Sequence, residues 1–205
     1  MIAELQTYQS ITSNLRGHIH SDRWAQFVDR LSWDLRLTGD RMEVDEYDDD
    51  ESEYLVIRRN EKHLASCRLR SVNSSTMVID HFSEAFPGAR SFMNENSGSI
   101  CELTRFLRSP SLVSSQAWVV LKALGENLET YRQRRHLTGF VAVVFHPVSR
   151  LLKLNGVNFT VLEVSQIDGK RAELIFLTNT IPNSRIQDLK NRATCRIPRD
   201  YMAVS

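Results

Sequence analysis

The sequence is poor in the residues that crosslink small proteins or bind metals. Its three cysteines, Cys67, Cys101 and Cys195, are far apart and form no C-x-x-C pair. This spacing argues against a disulfide framework or a zinc site and favours a reducing compartment. The six histidines show no spacing typical of a metal site or a catalytic triad. We therefore predict no metal site and assign no nucleophile to the cysteines.

Neither sign of charge is in excess, and long apolar runs are missing. In 205 residues, 26 lysines and arginines face 25 aspartates and glutamates, a balance that argues against a dedicated nucleic-acid binder. No apolar run approaches the roughly 20 residues that cross a bilayer. The first residues lack the basic and apolar segments of a signal peptide. We expect one domain over residues 1–205, cytoplasmic, with no nucleic-acid or membrane partner.

Apolar periodicity predicts an alternation of strands and helices along the chain. The predicted strands cover residues 2–8, 54–57, 63–72, 77–79, 100–107, 139–145, 159–167 and 172–178. The predicted helices cover residues 21–31, 114–135 and 146–154. Glycine, serine and asparagine are frequent in residues 87–99, which predicts a mobile loop there.

This order of elements predicts an α/β fold in which a mixed sheet carries helices on both faces. The continuous apolar run at residues 139–145 suits a central strand that is buried on both sides. The order resembles the plan of the GNAT-type acyltransferases, in which a splayed sheet opens a cleft for a thioester. That resemblance concerns the fold and does not by itself give the function.

Charged and aromatic residues form an ordered set between residues 23 and 105. Its acidic centre reads Glu43-Val44-Asp45-Glu46-Tyr47-Asp48, and the other members are Arg23, Phe27, Trp33, Arg68, Arg70, Glu102 and Arg105. The set resembles the LuxI-type acyl-homoserine-lactone synthases. Their pattern is Arg, Phe and Trp, then Glu-x-Asp-x-Tyr-Asp, an arginine after a strand, and Glu-x-x-Arg. A weaker resemblance over residues 139–156 extends it to most of the chain.

The resemblance implies a quorum-sensing acyltransferase. It would move an acyl group from a thioester to the amine of S-adenosylmethionine, and then close the lactone with release of 5′-methylthioadenosine. Both reactants are substrates, so we expect no permanently bound cofactor. Carboxylates suit the cationic groups of S-adenosylmethionine, arginine suits its carboxylate, and aromatic rings suit its adenine and sulfonium. The implied catalytic residues are Glu102, Glu43 and Asp45. The implied S-adenosylmethionine site comprises Arg23, Phe27, Trp33, Asp45, Asp48, Arg70 and Arg105.

The resemblance also implies where the acyl donor binds. The expected acyl pocket comprises Phe106, Trp118, Leu121, Ala142 and Val144. Because Ala142 and Val144 stand where makers of 3-oxo lactones carry threonines, we expect an unsubstituted acyl chain. The donor would be acyl carrier protein or acyl-coenzyme A. A basic docking face for an acidic carrier is expected at Arg132, Arg134, Arg135, Arg150 and Lys153.

Several plainer interpretations remain open at the level of sequence. Asp49, Asp50 and Glu51 read as a solvated charge run, Phe27 and Trp33 suit a core, and the arginines suit structural ion pairs. A buried Glu102 needs a partner, which Arg70 or Arg105 would supply without catalysis. Two other functions fit the same fold: an N-acyltransferase that acts on a free amino acid, and a silent sensor of a nucleoside or lipid.

Overall fold

Seven strands form one sheet in the order β1-β2-β3-β4-β5-β7-β6 in a computed structural model, which describes residues 1–33, 35 and 41–179. The strands are β1 (Ile2–Thr7), β2 (Ser52–Arg59), β3 (Lys62–Ser71), β4 (Ile100–Arg108), β5 (Gly139–Phe145), β6 (Asn158–Ile167) and β7 (Lys170–Asn179). Neighbouring strands run antiparallel except β4 and β5, which run parallel. A parallel pair needs a crossover, and the longest helix of the described residues supplies it.

Helices cover both faces of this sheet. They are α1 (Ser13–Arg23), which continues as a π-helical turn (Trp24–Arg30), α2 (Met77–Phe82), α3 (Ala89–Glu95), α4 (Ser114–Arg134) and α5 (His146–Leu154). On one face α1 packs on Tyr54 and Val56, and α2 and α3 pack on Val141 and Val143. On the other face α4 and α5 pack on a larger apolar cluster that includes Ala142. The predicted mixed α/β fold with helices on both faces is confirmed.

The parallel pair at the centre of the sheet is short. β4 and β5 are paired over three residues each, ending at Glu102 opposite Val141. Past that point β4 continues beside β3 and β5 continues beside β7. The two strands therefore separate toward their carboxyl ends, and a cleft opens between them. This is the splayed sheet that the resemblance to the GNAT-type acyltransferases implies.

A β-bulge in β4 decides which side chains face which layer. Ser66 of β3 lies opposite Leu107 and Arg68 lies opposite Thr104, so β4 has one extra residue in this interval. Arg105 is the residue with a positive φ, 50°. Such a bulge bends the strand and re-aims its side chains. Arg105 consequently faces the α1 layer, and Phe106 turns to the apolar cluster under α4.

Two elements differ from the sequence prediction. Residues 77–79, predicted as a strand, begin helix α2, because the carboxylate of Glu102 accepts the Met77 and Val78 N–H groups at its first turn. Residues 87–99, predicted as a mobile loop, contain helix α3, whose Ala89 and Met93 are buried. Both short helices depend on contacts with residues far away in the sequence.

The first helix also begins earlier than predicted. It starts at Ser13 rather than near residue 21, with the Thr12 hydroxyl accepting the Leu15 N–H as an N-cap. No helix in the described ranges is long and apolar enough to cross a membrane. Cys195 lies outside the described residues, whereas Cys67 and Cys101 are buried strand cysteines.

Candidate active site

Three arginines and three carboxylates form one buried ion cluster beside the cleft. Its members are Arg23, Arg68, Arg105, Glu43, Asp45 and Asp48. They come from the end of α1, from β3, from β4 and from the loop that precedes β2. The side chains keep at most 10% of their surface exposed, and Asp45 keeps the most. Opposite charges are matched three to three, which low-dielectric burial requires.

The contacts within the cluster are short and shared. Arg23 bonds the Glu43 carboxylate through Nε and reaches Asp48 Oδ1 from Nη1 at 2.8 Å. Arg68 Nη1 lies 2.5 Å from Asp45 Oδ1. Arg105 Nη2 lies 2.9 Å from Glu43 Oε1 and 2.8 Å from Asp45 Oδ2. Since each carboxylate meets at least two arginines, removing any one member leaves a charge unbalanced.

The acidic loop folds onto itself before it meets the arginines. Asp45 Oδ1 accepts the Tyr47 N–H at 2.9 Å, and Asp48 Oδ2 accepts the Asp45 N–H at 2.9 Å. Aspartate side chains favour such local turns because they bond backbone groups two or three residues away. The Tyr54 hydroxyl on β2 donates a hydrogen bond to Asp48 Oδ1. The Glu-x-Asp-x-Tyr-Asp sequence thus builds the turn that presents its own carboxylates.

The arginines keep two of these carboxylates ionised. Burial alone would raise the pKa of Asp48, but Arg23 and Arg68 outweigh it and hold that pKa well below its ordinary value. Burial likewise opposes ionisation of Asp45, whose pKa is held low by Arg68, Arg105 and Arg23. Asp45 and Asp48 are therefore charged at neutral pH.

Glu102 stands apart from this ion cluster. It is buried on β4 at the point where pairing with β5 ends, and it accepts the Val78 N–H at 2.7 Å and the Met77 N–H at 3.2 Å. Burial raises the pKa of Glu102, and the Val78 N–H and Arg68 offset only part of that rise. Its hydrogen-bond partners are these backbone groups rather than Arg70 or Arg105. A carboxylate with a raised pKa at the opening of a cleft has the properties of a general base.

Arg70 serves a different part of the loop from the other arginines. Its guanidinium lies 2.5 Å from Asp49 Oδ1 and 2.9 Å from Glu51 Oε2, and it donates to the Ser52 hydroxyl and the Ser75 carbonyl. The interpretation of Asp49 and Glu51 as a purely solvated charge run is therefore wrong. The described contacts tie Arg70 to the outer end of the acidic loop.

Arg68 belongs to the ion cluster, although the set of S-adenosylmethionine residues implied by the resemblance leaves it out. Besides its two aspartates it donates to the Thr104 hydroxyl at 3.1 Å. The sequence already indicated that Arg68 lies beside Arg70, since Arg68-x-Arg70 has the spacing of two residues on one face of a strand. The two side chains lie on that one face and bond different halves of the acidic loop.

Aromatic rings connect the ion cluster to the far wall of the cleft. Phe27 is fully buried, packs on Leu107 of β4 and stacks on Trp33 with ring centroids 5.0 Å apart. The Arg105 guanidinium lies 5.4 Å above the Phe27 ring. Trp33 in turn lies 5.8 Å from Phe145 at the end of β5. The Phe27 and Trp33 rings thus belong to the core and also line the cleft. They lie between Leu107 of β4 and Phe145 of β5, at the end where the two strands separate.

A second hydrogen-bonded series links α1 to β3. Asp22 lies 2.6 Å from His63 Nδ1, and His63 Nε2 lies 3.0 Å from the Ser66 hydroxyl. The residue types are those of a catalytic triad, but the series lies between α1 and β3 rather than where β4 and β5 part. The series instead fixes Asp22, and with it the neighbouring Arg23, against the sheet.

The residues of the expected acyl pocket divide into two groups. Ala142 and Val144 are fully buried in the apolar cluster under α4, and Phe106 packs against that cluster. Trp118 and Leu121 are half-buried on α4 and are not among the described residues packed against it. The cleft side of β4 and β5 is consequently apolar where an acyl chain would lie.

The expected basic docking face is partly engaged within the molecule. Arg132 is paired with Glu129 at 2.6 Å and also donates to the Leu137 carbonyl, and Arg135 is paired with Glu53 at 2.6 Å. Arg134, Arg150 and Lys153 are exposed. The basic residues at the end of α4 lie near the start of β5, and those on α5 follow its end. The expected docking residues therefore fall into two groups at opposite ends of β5.

Sequence relatives agree on one activity. An acyl-homoserine-lactone synthase of Vibrio anguillarum is 29% identical over 154 residues, which cover 74% of this chain and 78% of that protein. An acyl-homoserine-lactone synthase of Yersinia enterocolitica is 28% identical over 182 residues, which cover 85% and 80%.

Solved structures agree on the fold. The crystal structure of the AHL synthase LasI matches with a TM-score of 0.72 at 24% identity, over 87% of this chain and 90% of that one. BjaI, a CoA-dependent acyl-homoserine lactone synthase solved with SAM and isopentyl-CoA, matches with a TM-score of 0.71 at 16% identity, over 93% and 88%.

A family model assigns the chain. The model described as autoinducer synthase matches residues 7–187, which is most of the sequence and includes the ion cluster, Glu102 and both walls of the cleft. The chain therefore belongs to the autoinducer synthase family of acyltransferases.

Proposed function

We propose that this chain transfers an acyl group from a thioester to the amine of S-adenosylmethionine and then closes the product to an acyl-homoserine lactone. The observation that carries the proposal is the position of Glu102. It lies where β4 and β5 part, between the ion cluster on one side and the apolar cleft on the other. Both substrates are metabolites of the cell interior, so we place the reaction in the cytoplasm.

In the first step Glu102 acts as the general base. The α-amine of S-adenosylmethionine loses a proton to Glu102, directly or through one water, and its nitrogen attacks the thioester carbonyl. The raised pKa of Glu102 brings the carboxylate closer to the working pH, which favours proton transfer. Backbone N–H groups of β4 and β5 beyond Glu102 and Val141 are released from pairing with each other and can stabilise the oxyanion. Collapse of the adduct expels the thiol and leaves the amide.

In the second step the substrate supplies its own leaving group. The carboxylate oxygen attacks the γ-carbon, the bond from that carbon to the sulfonium sulfur breaks, and neutral methylthioadenosine departs with the electron pair. No proton moves, so the protein needs chiefly to hold the reacting atoms in line. The half-buried Trp33 ring, with the buried Phe27 ring stacked on it, suits the adenine and the sulfonium.

The ion cluster divides into scaffold and contact groups. Glu43, Asp48 and the three arginines are almost fully enclosed and satisfy one another. Asp45 keeps 10% of its side chain exposed, the most of the cluster, which supports the proposal that its carboxylate meets the α-ammonium. We assign the others to holding Asp45 and the Trp33 segment in place, and Arg70 to holding the outer loop.

The donor is an acyl thioester, and we propose that its apolar chain lies among Phe106, Ala142 and Val144. No hydroxyl group is contributed by Ala142 or Val144 to bond a 3-oxo group, so we propose an unsubstituted chain. Acyl carrier protein and acyl-coenzyme A carry the same thioester arm, and either would present it to this cleft. The exposed Arg150 and Lys153 on α5, which begins where β5 ends, suit an acidic carrier.

Mass spectrometry of the products tests the proposal. The purified full chain is mixed with S-adenosylmethionine and a panel of acyl-carrier-protein and acyl-coenzyme A thioesters. We expect acyl-homoserine lactone and methylthioadenosine in equal amounts with at least one donor. Thiol release with an acylated amine but no methylthioadenosine would instead indicate an N-acyltransferase that does not use the sulfonium. Binding of S-adenosylmethionine with no turnover of any donor would indicate a sensor.

A further inference from the structure

Helix α2 stands between the acidic loop that precedes β2 and the proposed general base. It is six residues long, and its first two N–H groups are the ones that Glu102 accepts, from Val78 at 2.7 Å and from Met77 at 3.2 Å. Within the described ranges, Thr76 ahead of it adds no side-chain bond to the helix start. A helix this short is not stable by itself in water. Its position therefore depends on the contacts that other parts of the chain make with it.

Tyr47 of the acidic loop makes the most buried of these polar contacts. Its hydroxyl donates to Asp80 Oδ2 on α2 at 2.9 Å, and the residue is only 2% exposed. The guanidiniums of Arg68 and Arg70 each lie 5.4 Å from the centre of its ring, an arrangement that holds an aromatic ring in place. Burial and the bond to Asp80 raise the pKa of Tyr47. The hydroxyl consequently keeps its proton at neutral pH and serves as a fixed donor to α2.

Two further contacts join α2 to its surroundings. His81 Nε2 on α2 lies 2.7 Å from Glu46 Oε1, with both side chains about half exposed. Ser75, just ahead of α2, donates its hydroxyl to Asp80, and its carbonyl accepts the Nε–H of Arg70 at 2.5 Å. Exposed ion pairs contribute little to stability. The buried tyrosine bond is therefore the contact expected to set where α2 lies.

The acidic loop is the fixed side of this contact. Tyr47 stands between Asp45 and Asp48 in sequence, and its N–H donates to Asp45 Oδ1 at 2.9 Å. The two aspartates are themselves bound by arginines from three elements, α1, β3 and β4. A turn held by this many buried ion pairs moves less than a helix of six residues. The turn thus positions α2, rather than the reverse.

The position of α2 bears on the pKa of the general base. The groups around Glu102 come from α2, β3, the acidic loop and β5: Val78, Met77, Arg68, Arg70, Tyr47 and Val141. Burial raises the pKa of Glu102, and the two N–H groups and the two arginines offset part of that rise. Hydrogen bonds to a carboxylate favour its charged form. A shift of α2 away from β4 would weaken these bonds and raise the pKa of Glu102 further.

We propose that Tyr47 and Asp80 are positioning residues for the general base: their bond holds α2 where its N–H groups meet Glu102. The proposal rests on the proposed function, since it takes Glu102 to be the base. It gives a task to the tyrosine of the Glu-x-Asp-x-Tyr-Asp sequence. It also connects the loop that carries Asp45 to the carboxylate that takes the proton.

Four single variants test this bond: Tyr47→Phe, Asp80→Ala, Asp80→Asn and the control Tyr131→Phe. Tyr47→Phe keeps the ring between the two arginines and removes only the bond to α2. Asp80→Ala removes the acceptor at an exposed position, whereas Asp80→Asn removes the charge and keeps an oxygen that can accept the bond. Tyr131 on α4 donates to Glu53 at 2.8 Å and packs in the apolar cluster on the other face of the sheet. Tyr131→Phe thus removes a comparable bond away from α2.

The pH–rate profile of kcat, followed by methylthioadenosine release, is the readout from activity. We expect Tyr47→Phe and Asp80→Ala to move the limb that reports Glu102 upward by at least about 0.5 pH unit, because displaced N–H groups stabilise the carboxylate less. On the limb, kcat then falls by about 3-fold or more, while KM for S-adenosylmethionine changes by less than about 2-fold, since Asp45 keeps its arginines. Asp80→Asn and Tyr131→Phe should not raise the limb.

Three results would overturn the proposal. The first is a limb that stays in place in Tyr47→Phe, with or without a raised KM for S-adenosylmethionine, because the hydroxyl would then have no effect on the base. The second is a limb that moves downward in Asp80→Ala, because the charge of Asp80 rather than its bond would then act on Glu102. The third is an equal upward shift in Tyr131→Phe, because the effect would then not be specific to α2.

A titration of Glu102 that needs no turnover separates this proposal from the proposed function. Glutamate labelled with ¹³C at the side-chain carboxyl reports each pKa by NMR, and the signal missing from Glu102→Gln identifies Glu102. If the unchanged chain makes no lactone, yet Tyr47→Phe raises this pKa and Tyr131→Phe does not, the proposed function fails and the positioning role stands. If lactone forms while neither the titration nor the limb differs in Tyr47→Phe, the positioning role fails and the proposed function stands. Equal thermal midpoints of the chains exclude unfolding as the cause.

Discussion

At the scale of single residues, the carboxylates of the candidate site fall into two kinds of environment. Asp45 and Asp48 are kept ionised by Arg23 and Arg68, whereas the carboxylate of Glu102 accepts hydrogen bonds from backbone N–H groups rather than from an arginine. The pKa values of these carboxylates are thus shifted in opposite directions within one small region. Such divergence is how proteins assign different roles to chemically similar side chains.

Glu102→Gln is expected to abolish most of the activity without unfolding the chain. The amide oxygen can still accept the Val78 N–H, but the side chain cannot take a proton, so kcat should fall by about 100-fold to 10,000-fold. Methylthioadenosine release measures kcat, and calorimetry checks that S-adenosylmethionine still binds. A glutamine variant with kcat near that of the unchanged chain would remove Glu102 from the role of base.

The same raised pKa fixes the sign of the pH dependence. Because the base must be ionised to act, kcat should rise with pH through the pKa of Glu102, and this limb should lie above the range of an ordinary glutamate. The protonated form is favoured in the folded state, so Glu102 contributes stability below its unfolded-state pKa that is lost as pH rises through the folded-state value. Glu102→Gln should therefore not reduce stability at neutral pH. A pH–rate profile and urea unfolding at matched pH values measure both effects.

Arg68→Met tests whether the ion cluster acts as a unit. The change removes a cation shared by Asp45 and Asp48 and leaves two buried carboxylates under-compensated, which should cost about 3–5 kcal/mol in the free energy of unfolding. Urea denaturation measures it, with exposed Arg134→Met as the matched control that should change stability little. A loss below about 1 kcal/mol, typical of surface ion pairs, would contradict the description of the cluster as buried and mutually dependent.

At the scale of elements, the sequence predicts those whose signal is local. The run at residues 139–145 is β5, and the helix predicted over 114–135 is α4 with one residue's difference. Helices α2 and α3 are missed because Glu102 caps one from β4 and a distant apolar cluster buries the other. The separation of β4 from β5 and the bulge at Arg105 likewise cannot be predicted from single residues, since both are properties of strand pairing. The family pattern predicts most residues of the ion cluster. Only the structure shows that Arg68 belongs to the cluster and that Arg70 instead pairs with Asp49 and Glu51.

Two glycines in regular elements, Gly17 and Gly139, should respond oppositely to alanine. At Gly139, where β5 begins, a Cβ would meet the Leu177 carbonyl oxygen and the Phe176 ring, so Gly139→Ala should destabilise the fold and disturb the start of the parallel pair. At Gly17 in α1 a Cβ meets nothing within 4 Å, so Gly17→Ala should stabilise by about 0.5–1 kcal/mol through helix propensity. Thermal unfolding of both variants measures the contrast, and a stabilising Gly139→Ala would contradict the tight approach of β5 to β7.

At the scale of the whole molecule, the proposed mechanism uses the two faces of one sheet for the two reactants. The α1 layer carries the ion cluster and the aromatic rings, and the α4 layer carries the apolar cluster that includes Ala142 and Val144. Pairing of β4 with β5 ends at Glu102. In the proposed mechanism this position lets Glu102 take a proton from the amine of S-adenosylmethionine while the thioester lies between the separated strands.

The central claim is that one site performs acyl transfer and then ring closure by the substrate's own carboxylate. S-adenosylmethionine labelled with ¹⁸O in both carboxylate oxygens tests it directly, with the products weighed by mass spectrometry after turnover with the best donor. The account predicts a lactone that keeps both labels, with an equal amount of methylthioadenosine. A lactone that has lost one label would show that water, rather than the carboxylate, attacked the γ-carbon, and an open acyl amide without methylthioadenosine would show that ring closure does not occur here.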